Sequence, residues 1–486
     1  MLAIVLVLMV STIAAPFLFI LYLWRKDRHQ REHSVLRNFP ILGKVRYILE
    51  KVGPEMRQYL FLNDNESKPF SRNDYEAAVI SGKYKSRIIG FGSERDFEGG
   101  GFYLQNVLYP TNRDELRIDN REIVSTRLYQ VEEDNLFTRK ERIVEREVGP
   151  YLLTEEDSIV IGKQTCREPF RIRGLVGQSA MSFGSLGENA ITALFGVRTE
   201  DGAFSEAAFK AKSELPQVRA FELKLAQGAK TRGGHIDGAK VTEEIARIRN
   251  VKVGVTIDSP NRFSEFKTDR ELLDFIERLR DIGGKPVGIK LVVGRLSDVE
   301  ALIQEMASSG KHPDFITVDG GEGGTGATYQ ELADTVGLPL KAALPYVHRL
   351  LVDHGLRDRI TLFASGKLVT ADKIAVALAL GADCVNIARG LMFNVGCIQA
   401  QVCHTNRCPV GVATTDPKLQ HALVVDEKSF RVTNYIISLR EGLYNMAAAA
   451  GLDTPTKLSL EHVAYKYPDG RVKRGEELFD GQAKDG

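Results

Sequence analysis

Three cysteines, Cys397, Cys403 and Cys408, stand with five and four residues between them in DCVNIARGLMFNVGCIQAQVCHTNRCPVGVATTDP, the stretch from Asp383 to Pro417. Thiolates so spaced can hold three corners of an iron–sulfur cluster, and three protein ligands suit a [3Fe-4S] unit. His404 opens a second reading, a Cys3His zinc site, although adjacent ligands are awkward for a tetrahedral metal. The third reading is three buried apolar thiols. Cys166 and Cys384 are isolated and read as structural. Five cysteines in 486 residues do not make a disulfide framework, which points to a reducing compartment.

A second chemistry lies in short glycine-rich turns that follow apolar runs. ASGKL carries Ser365, Gly366 and Lys367, and ARG carries Ala388, Arg389 and Gly390. VDGGEGGTGA places Asp319 at a strand tip, followed by Gly320, Gly321, Gly323, Gly324, Thr325 and Gly326. Small residues let backbone N–H groups approach a phosphate or a flat ring, and the helix expected over 371–380 adds its dipole. One such loop is an ordinary tight turn, whereas three in succession point to a phosphorylated cofactor. Lys290 sits inside the apolar run VGIKLVVG, where an unpaired ammonium is costly. A cation there can stabilise a reduced flavin or bind a substrate carboxylate, or it can simply pair with a structural carboxylate. Gln227 and Lys230, in LAQGAK, are candidates of the same kind.

The elements that would position these groups alternate strand and helix. Strands are expected at 172–180, 219–225, 251–257, 287–293, 315–318, 360–364 and 384–387. Thr268 with Glu271 forms a capping box before LLDFIERL, which Gly283-Gly284 stops, and Ser297 with Glu300 is expected to open the next helix. Continuous apolar strands between helices imply a parallel sheet buried on both faces. A (β/α)8 TIM-type barrel over 151–420 fits best, lacking a clear second strand between Leu186 and Arg219. In such a barrel the site lies at the C-terminal ends of the strands, with phosphate beside the last two loops. The doubly wound alternative wants a GxGxxG turn after its first strand, which is absent.

With 65 basic and 64 acidic residues, nothing global suggests a nucleic-acid partner. Residues 1–24 carry no charge, and as a helix of roughly 36 Å they are long enough to span a bilayer. Arg25, Lys26, Arg28 and Arg31 follow, so the expectation is a single-pass transmembrane helix in the cell membrane with the catalytic domain cytoplasmic. Residues 25–150 read as a collar, and 421–486 as a helical C-terminal extension and tail.

Taken together, GCIQAQVCHTNRCPVGVAT, GGEGGTGA, LAQGAK, GQSAMSFGSL and VGIKLVVG resemble the FMN-binding synthase domain of the glutamate synthase family, over roughly residues 150–420. The N-terminal run with HSVLRNFPILGKVRYILE resembles its single-chain, membrane-anchored members. The resemblance implies FMN at the mouth of the barrel beside a [3Fe-4S] cluster held by Cys397, Cys403 and Cys408. Ala180, Met181 and Ser182 would lie against the flavin, Gln227 and Lys290 would approach ring and substrate, and the glycine loops would hold the phosphate. The implied reaction reduces the imine formed from 2-oxoglutarate and ammonia, with electrons from a ferredoxin or a reductase subunit.

Three departures accompany the resemblance. Position 2 is leucine, so no glutaminase domain with an N-terminal cysteine is expected. The family's NTGEGG stretch, with strand two and an acidic substrate residue, is missing between Leu194 and Phe195. TRGGH stands where an acidic turn is usual. The alternative they raise is an electron-transfer or scaffold protein that keeps the cofactors without substrate turnover.

Overall fold

The computed structural model describes residues 2–30, 32, 34–86, 88–181, 204–231, 235–249, 251–258 and 261–479, with backbone alone for 2–11, 13, 248 and 249. The chain forms two compact units, 1–73 and 74–486. Ser182 and the tract around Leu194, where strand two is missed in the sequence, lie outside the described residues.

In the first unit, helix α1 (Leu2–His29) contains Pro16, and α2 (Gly43–Met56) follows a short turn of helix. Asp27 of α1 is buried, accepting from Ile41 N–H at 3.0 Å and from the Lys44 ammonium at 2.5 Å. Among the described residues no helix is long and apolar enough to cross a membrane. This overturns the expected single-pass anchor and the cell-membrane localisation built on it. Crossing needs about 20 consecutive apolar residues, whereas the described side chains of α1 turn charged at Arg25 and end in a carboxylate folded back onto its own unit.

The second unit carries a long hairpin, β1 (Val124–Asp134) against β2 (Arg139–Val148). Six parallel strands then build one curled sheet: β3 (Val176–Gln178), β4 (Phe221–Lys224), β7 (Val287–Leu291), β8 (Phe315–Asp319), β9 (Thr361–Ser365) and β10 (Cys384–Ile387). Their spatial order is β3-β10-β9-β8-β7-β4, which is a TIM-barrel-like α/β arrangement, open between β3 and β4 among the described residues. The strand expected at 251–257 is not in this sheet. Only Ile257–Asp258 (β6) is extended, paired antiparallel with His235–Ile236 (β5), because Gly254 at φ +71 breaks the run.

Helices α3 (Asp269–Gly283), α4 (Leu296–Ser309), α5 (Leu340–Asp353) and α6 (Ala371–Ala379) connect the later strands. The α3 capping box is present at Thr268 and Glu271, and Gly284 ends the helix in the left-handed region. The start of α4 differs from expectation: its cap position is Arg295, and Ser297 lies within the first turn. Val287, Ile289, Ile316, Val318, Leu362 and Val385 alternate along the strands and are buried. The opposite face is polar toward the strand ends, with Lys224 beside Lys290 and Lys290 beside Thr317 in register. A seventh helix, α7 (Arg389–Asn394), leaves β10, and α8 (Val425–Ala449) packs against α6 and β1. The C-terminal extension is not purely helical, since Val463–Lys466 pairs antiparallel with Gly101–Leu104.

At the opposite end of the sheet Asp314 is 1% exposed and accepts from Arg280 Nε at 3.1 Å, from Val287 N–H at 2.8 Å and from the Thr165 hydroxyl. Removing one member of a buried, bonded pair leaves the other charge unsolvated. Asp314→Ala should therefore destabilise the second unit by about 3–5 kcal/mol, read as a lowered urea midpoint. An unchanged midpoint would show that Arg280 finds another partner.

Candidate functional site at the sheet mouth and the cysteine loop

Lys290 is 4% exposed. Its ammonium lies 3.2 Å from an Asp319 carboxylate oxygen and donates to Ser179 Oγ at 3.2 Å. Asp319, at the end of β8, also accepts from Gly228 N–H at 2.9 Å. The sheet thus brings Lys290, Asp319 and the LAQGAK turn to one place.

That turn is closed by reciprocal backbone bonds between Gln227 and Lys230 at 3.1 and 2.9 Å. A side chain on Gly228 would stand 2.2 Å from the Gly320 carbonyl oxygen, so glycine is required where the two loops cross. Gln227 Nε2 donates to the Gly324 carbonyl. Gly324 in turn lies against Arg389, whose Nη2 donates to the Glu322 carbonyl at 2.8 Å. Burial lowers the Arg389 pKa to about 10, so it stays charged at neutral pH.

Gly320 N–H donates to Ser365 O at 2.8 Å, joining the loops after β8 and β9. Gly366 and Lys367 both take positive φ there. Gly390 has a packing reason of its own, because a Cβ would meet the Tyr435 hydroxyl at 2.2 Å. Ala388 caps α7 and is half-buried. Gly323, Thr325 and Gly326 belong to the same β8 loop as Gly324. Ala180 is exposed just past β3, and Met181 packs on the core formed by Cys408, Val412 and Ala413. A cavity of about 200 Å³ is lined by the Gly366–Lys367 loop, Leu344 of α5 and Ala377 of α6.

Lys224 was missed from sequence, because its strand FELK alternates apolar and polar residues and shows no anomaly. It is the register partner of Lys290. The residue as a whole is exposed, yet its ammonium is desolvated and faces Lys290 and Lys230, which brings its pKa down to about 8.

The cysteine loop follows α7. Gln399, Gln401 and Asn406 all adopt positive φ, conformations that cost energy for residues with a Cβ. Cys397, Cys403 and Cys408 line one small apolar pocket with Met392, Val402 and Val412. Burial pushes the Cys397 thiol up to about 11 and raises Cys403 as well, so both are protonated at neutral pH without a metal. Among the described residues no group of three His, Cys, Asp or Glu is close enough to hold one metal ion. That disfavours the Cys3His zinc reading. Three thiols lining one apolar pocket are soft donors, the type that an iron–sulfur cluster takes.

Curled parallel sheet, polar mouth and glycine-laced loops define a barrel-type α/β protein with its binding site at the C-terminal strand ends. The family described as the conserved region in glutamate synthase matches residues 113–208 and 192–453. The chain belongs to the glutamate synthase family. It is 56% identical to the glutamate synthase large subunit-like protein YerD of Bacillus subtilis (strain 168), over 95% of this chain and 95% of that one. Identity to the NADPH glutamate synthase large chain of Azospirillum brasilense is 36% over 49% of this chain, but only 15% of that protein is covered. The archaeal-type NADPH glutamate synthase of Thermotoga maritima is 28% identical, over 62% of this chain and 64% of its own. A flavocytochrome b2 variant with sulfite bound aligns over 87% of this chain and 85% of its own at 12% identity, with a TM-score of 0.37, too low to carry an argument.

Acylation of an amine needs the neutral form. Lys224 is half neutral near pH 8, whereas an ordinary lysine reaches that point near about 10.4. An amine-reactive ester should therefore label Lys224 ahead of surface lysines at pH 8, with a rate that rises through that pH and levels above it. Peptide mapping that finds Lys224 no faster than bulk lysines would refute the depressed value.

Proposed function

We propose that this chain is an FMN- and [3Fe-4S]-binding oxidoreductase of the glutamate synthase type, reducing the imine of a 2-oxo acid, with 2-oxoglutarate and ammonia as the first candidates. The observation that carries the reading is the buried Lys290 ammonium, fixed by Asp319 and Ser179 at the mouth of the sheet. Electrons would come from an external donor such as a ferredoxin or a reductase subunit. When bound, FMN supplies hydride transfer and the cluster one-electron transfer.

The chain's own residues do the rest. Lys290 presents a cation that cannot swing away, suited to a substrate carboxylate or to negative charge on the flavin ring. Lys224 stands beside it and, with a pKa of about 8, holds a proton at neutral pH that it can yield. Gln227 and the Gly323–Gly326 loop would flank the ring, with Ala180, Met181 and Ser182 on its other side. Ser365, Gly366, Lys367, Ala388, Arg389 and Gly390 would surround the phosphate. Cys397, Cys403 and Cys408 would hold the cluster.

A second reading, a cofactor-binding electron-transfer or scaffold protein without turnover, is motivated by the division of the family match into two segments that overlap at 192–208. The alignment with the Bacillus subtilis relative runs over 501 positions, more than the 486 residues of this chain, so part of that relative faces a gap here.

Full-length protein purified anaerobically should show flavin absorbance and bound iron, and should form glutamate from 2-oxoglutarate, ammonium and a reduced artificial donor. Absence of both cofactors sinks the first reading; cofactors without turnover favour the second. Lys290→Met should lower turnover by about 100-fold or more while flavin absorbance persists, and Lys290→Arg should recover part of the loss.

A further inference from the structure

Lys240 ends the 3-10 turn Gly238–Lys240, which Asp237 caps by accepting from Ala239 N–H at 2.8 Å. It is 3% exposed. Its ammonium donates to the Cys403 carbonyl and, at 3.1 Å, to the Ala413 carbonyl. Among the described residues it makes no ion pair. The two carbonyls satisfy two of its three protons but leave its charge unneutralised. Cys403 and Ala413 both line the cysteine cavity. Alongside, Asn406 Nδ2 donates to Ala239 O at 3.3 Å, so the turn clamps the cysteine loop at two points.

We propose that Lys240 is a positioning residue whose buried ammonium raises the reduction potential of the iron–sulfur cluster held by Cys397, Cys403 and Cys408. The proposal rests on the cluster reading above. Three thiolates around an iron–sulfide core carry net negative charge, and taking one electron from a reductant makes that charge one unit larger. A cation fixed in a water-poor site favours the more negative form. A lysine that served only to satisfy two carbonyls could be replaced by another bonded group without moving the potential.

The test uses the full chain, prepared anaerobically or reconstituted with iron and sulfide, as parent, K240M and K240R. Iron and sulfide are assayed, and the paramagnetic signal of the oxidised three-iron form is followed through a dithionite titration. K240M is expected to keep the cluster at a lower midpoint potential, and K240R to stay near the parent. A K240M cluster at the parent's potential overturns the proposal. If K240M holds no iron, K240R decides: iron retained near the parent potential upholds the role of charge, and iron lost there too overturns it. A parent that takes up no iron removes the cluster reading itself, and this proposal with it.

Discussion

The ion pair between Lys290 and Asp319 is the constraint on which the mouth of the sheet depends. Both side chains are at most 5% exposed, and each end carries a further bond, Lys290 to Ser179 and Asp319 to Gly228. One pair therefore ties the end of β3, the turn after β4, and the adjacent strands β7 and β8. Buried pairs contribute little net stability, because desolvation offsets most of the attraction. An apolar pair of similar volume would serve packing as well. What the ionic pair adds is a cation whose position is set from three sides, which is the requirement of a site that must meet an anion in a fixed place.

Around that pair the loops approach one another more closely than side chains allow. Gly228 crosses Gly320, and Gly324 lies under Arg389, so the turns after β4, β8 and β10 form one connected surface. Arg389 is held by the Glu322 carbonyl and the Glu322 carboxylate by Leu340 N–H at 3.1 Å. The protein's own carboxylate thus occupies the start of α5. Space remains beside the loop after β9, in the cavity lined by Gly366 and Lys367, in the region where barrel folds of this type commonly take phosphate.

Much of this was legible because it appears in sequence as a local anomaly. A lysine in an apolar strand, glycines clustered after strands and three cysteines at short spacing each violate a local expectation, and such violations mark sites. Lys224, in the alternating strand FELK, breaks no such rule, and its significance lies in register with Lys290, which only strand pairing reveals. Lys240 stands in DGAKVTEE, a polar context with no anomaly at all; its burial comes from a loop more than 160 residues later. VKVGVTI failed in the other direction. Its β-branched residues promise a sheet strand, yet Gly254 turns the chain and leaves Ile257 and Asp258 to pair antiparallel with His235–Ile236. The apolar start of the chain promised a membrane span on hydropathy alone, which says nothing of the Asp27 contacts that fold its end inward.

The family match runs in two segments that overlap at 192–208, between the strands that form the two edges of the sheet, β3 and β4. Edge strands carry backbone groups that need partners. The loops suited to a phosphate follow β8, β9 and β10, three adjacent strands of which only β10 borders an edge strand, β3. Their mutual bonds, from Gly320 to Ser365 and from Arg389 to Glu322, do not involve either edge. Ser179 and Lys224, by contrast, stand at β3 and β4 themselves. A shortening between β3 and β4, as the sequence reading expects, would bear first on Ser179 and Lys224 and less on the loops after β8 and β9. On the proposed reading, cofactor retention and substrate turnover would therefore be separable in this architecture.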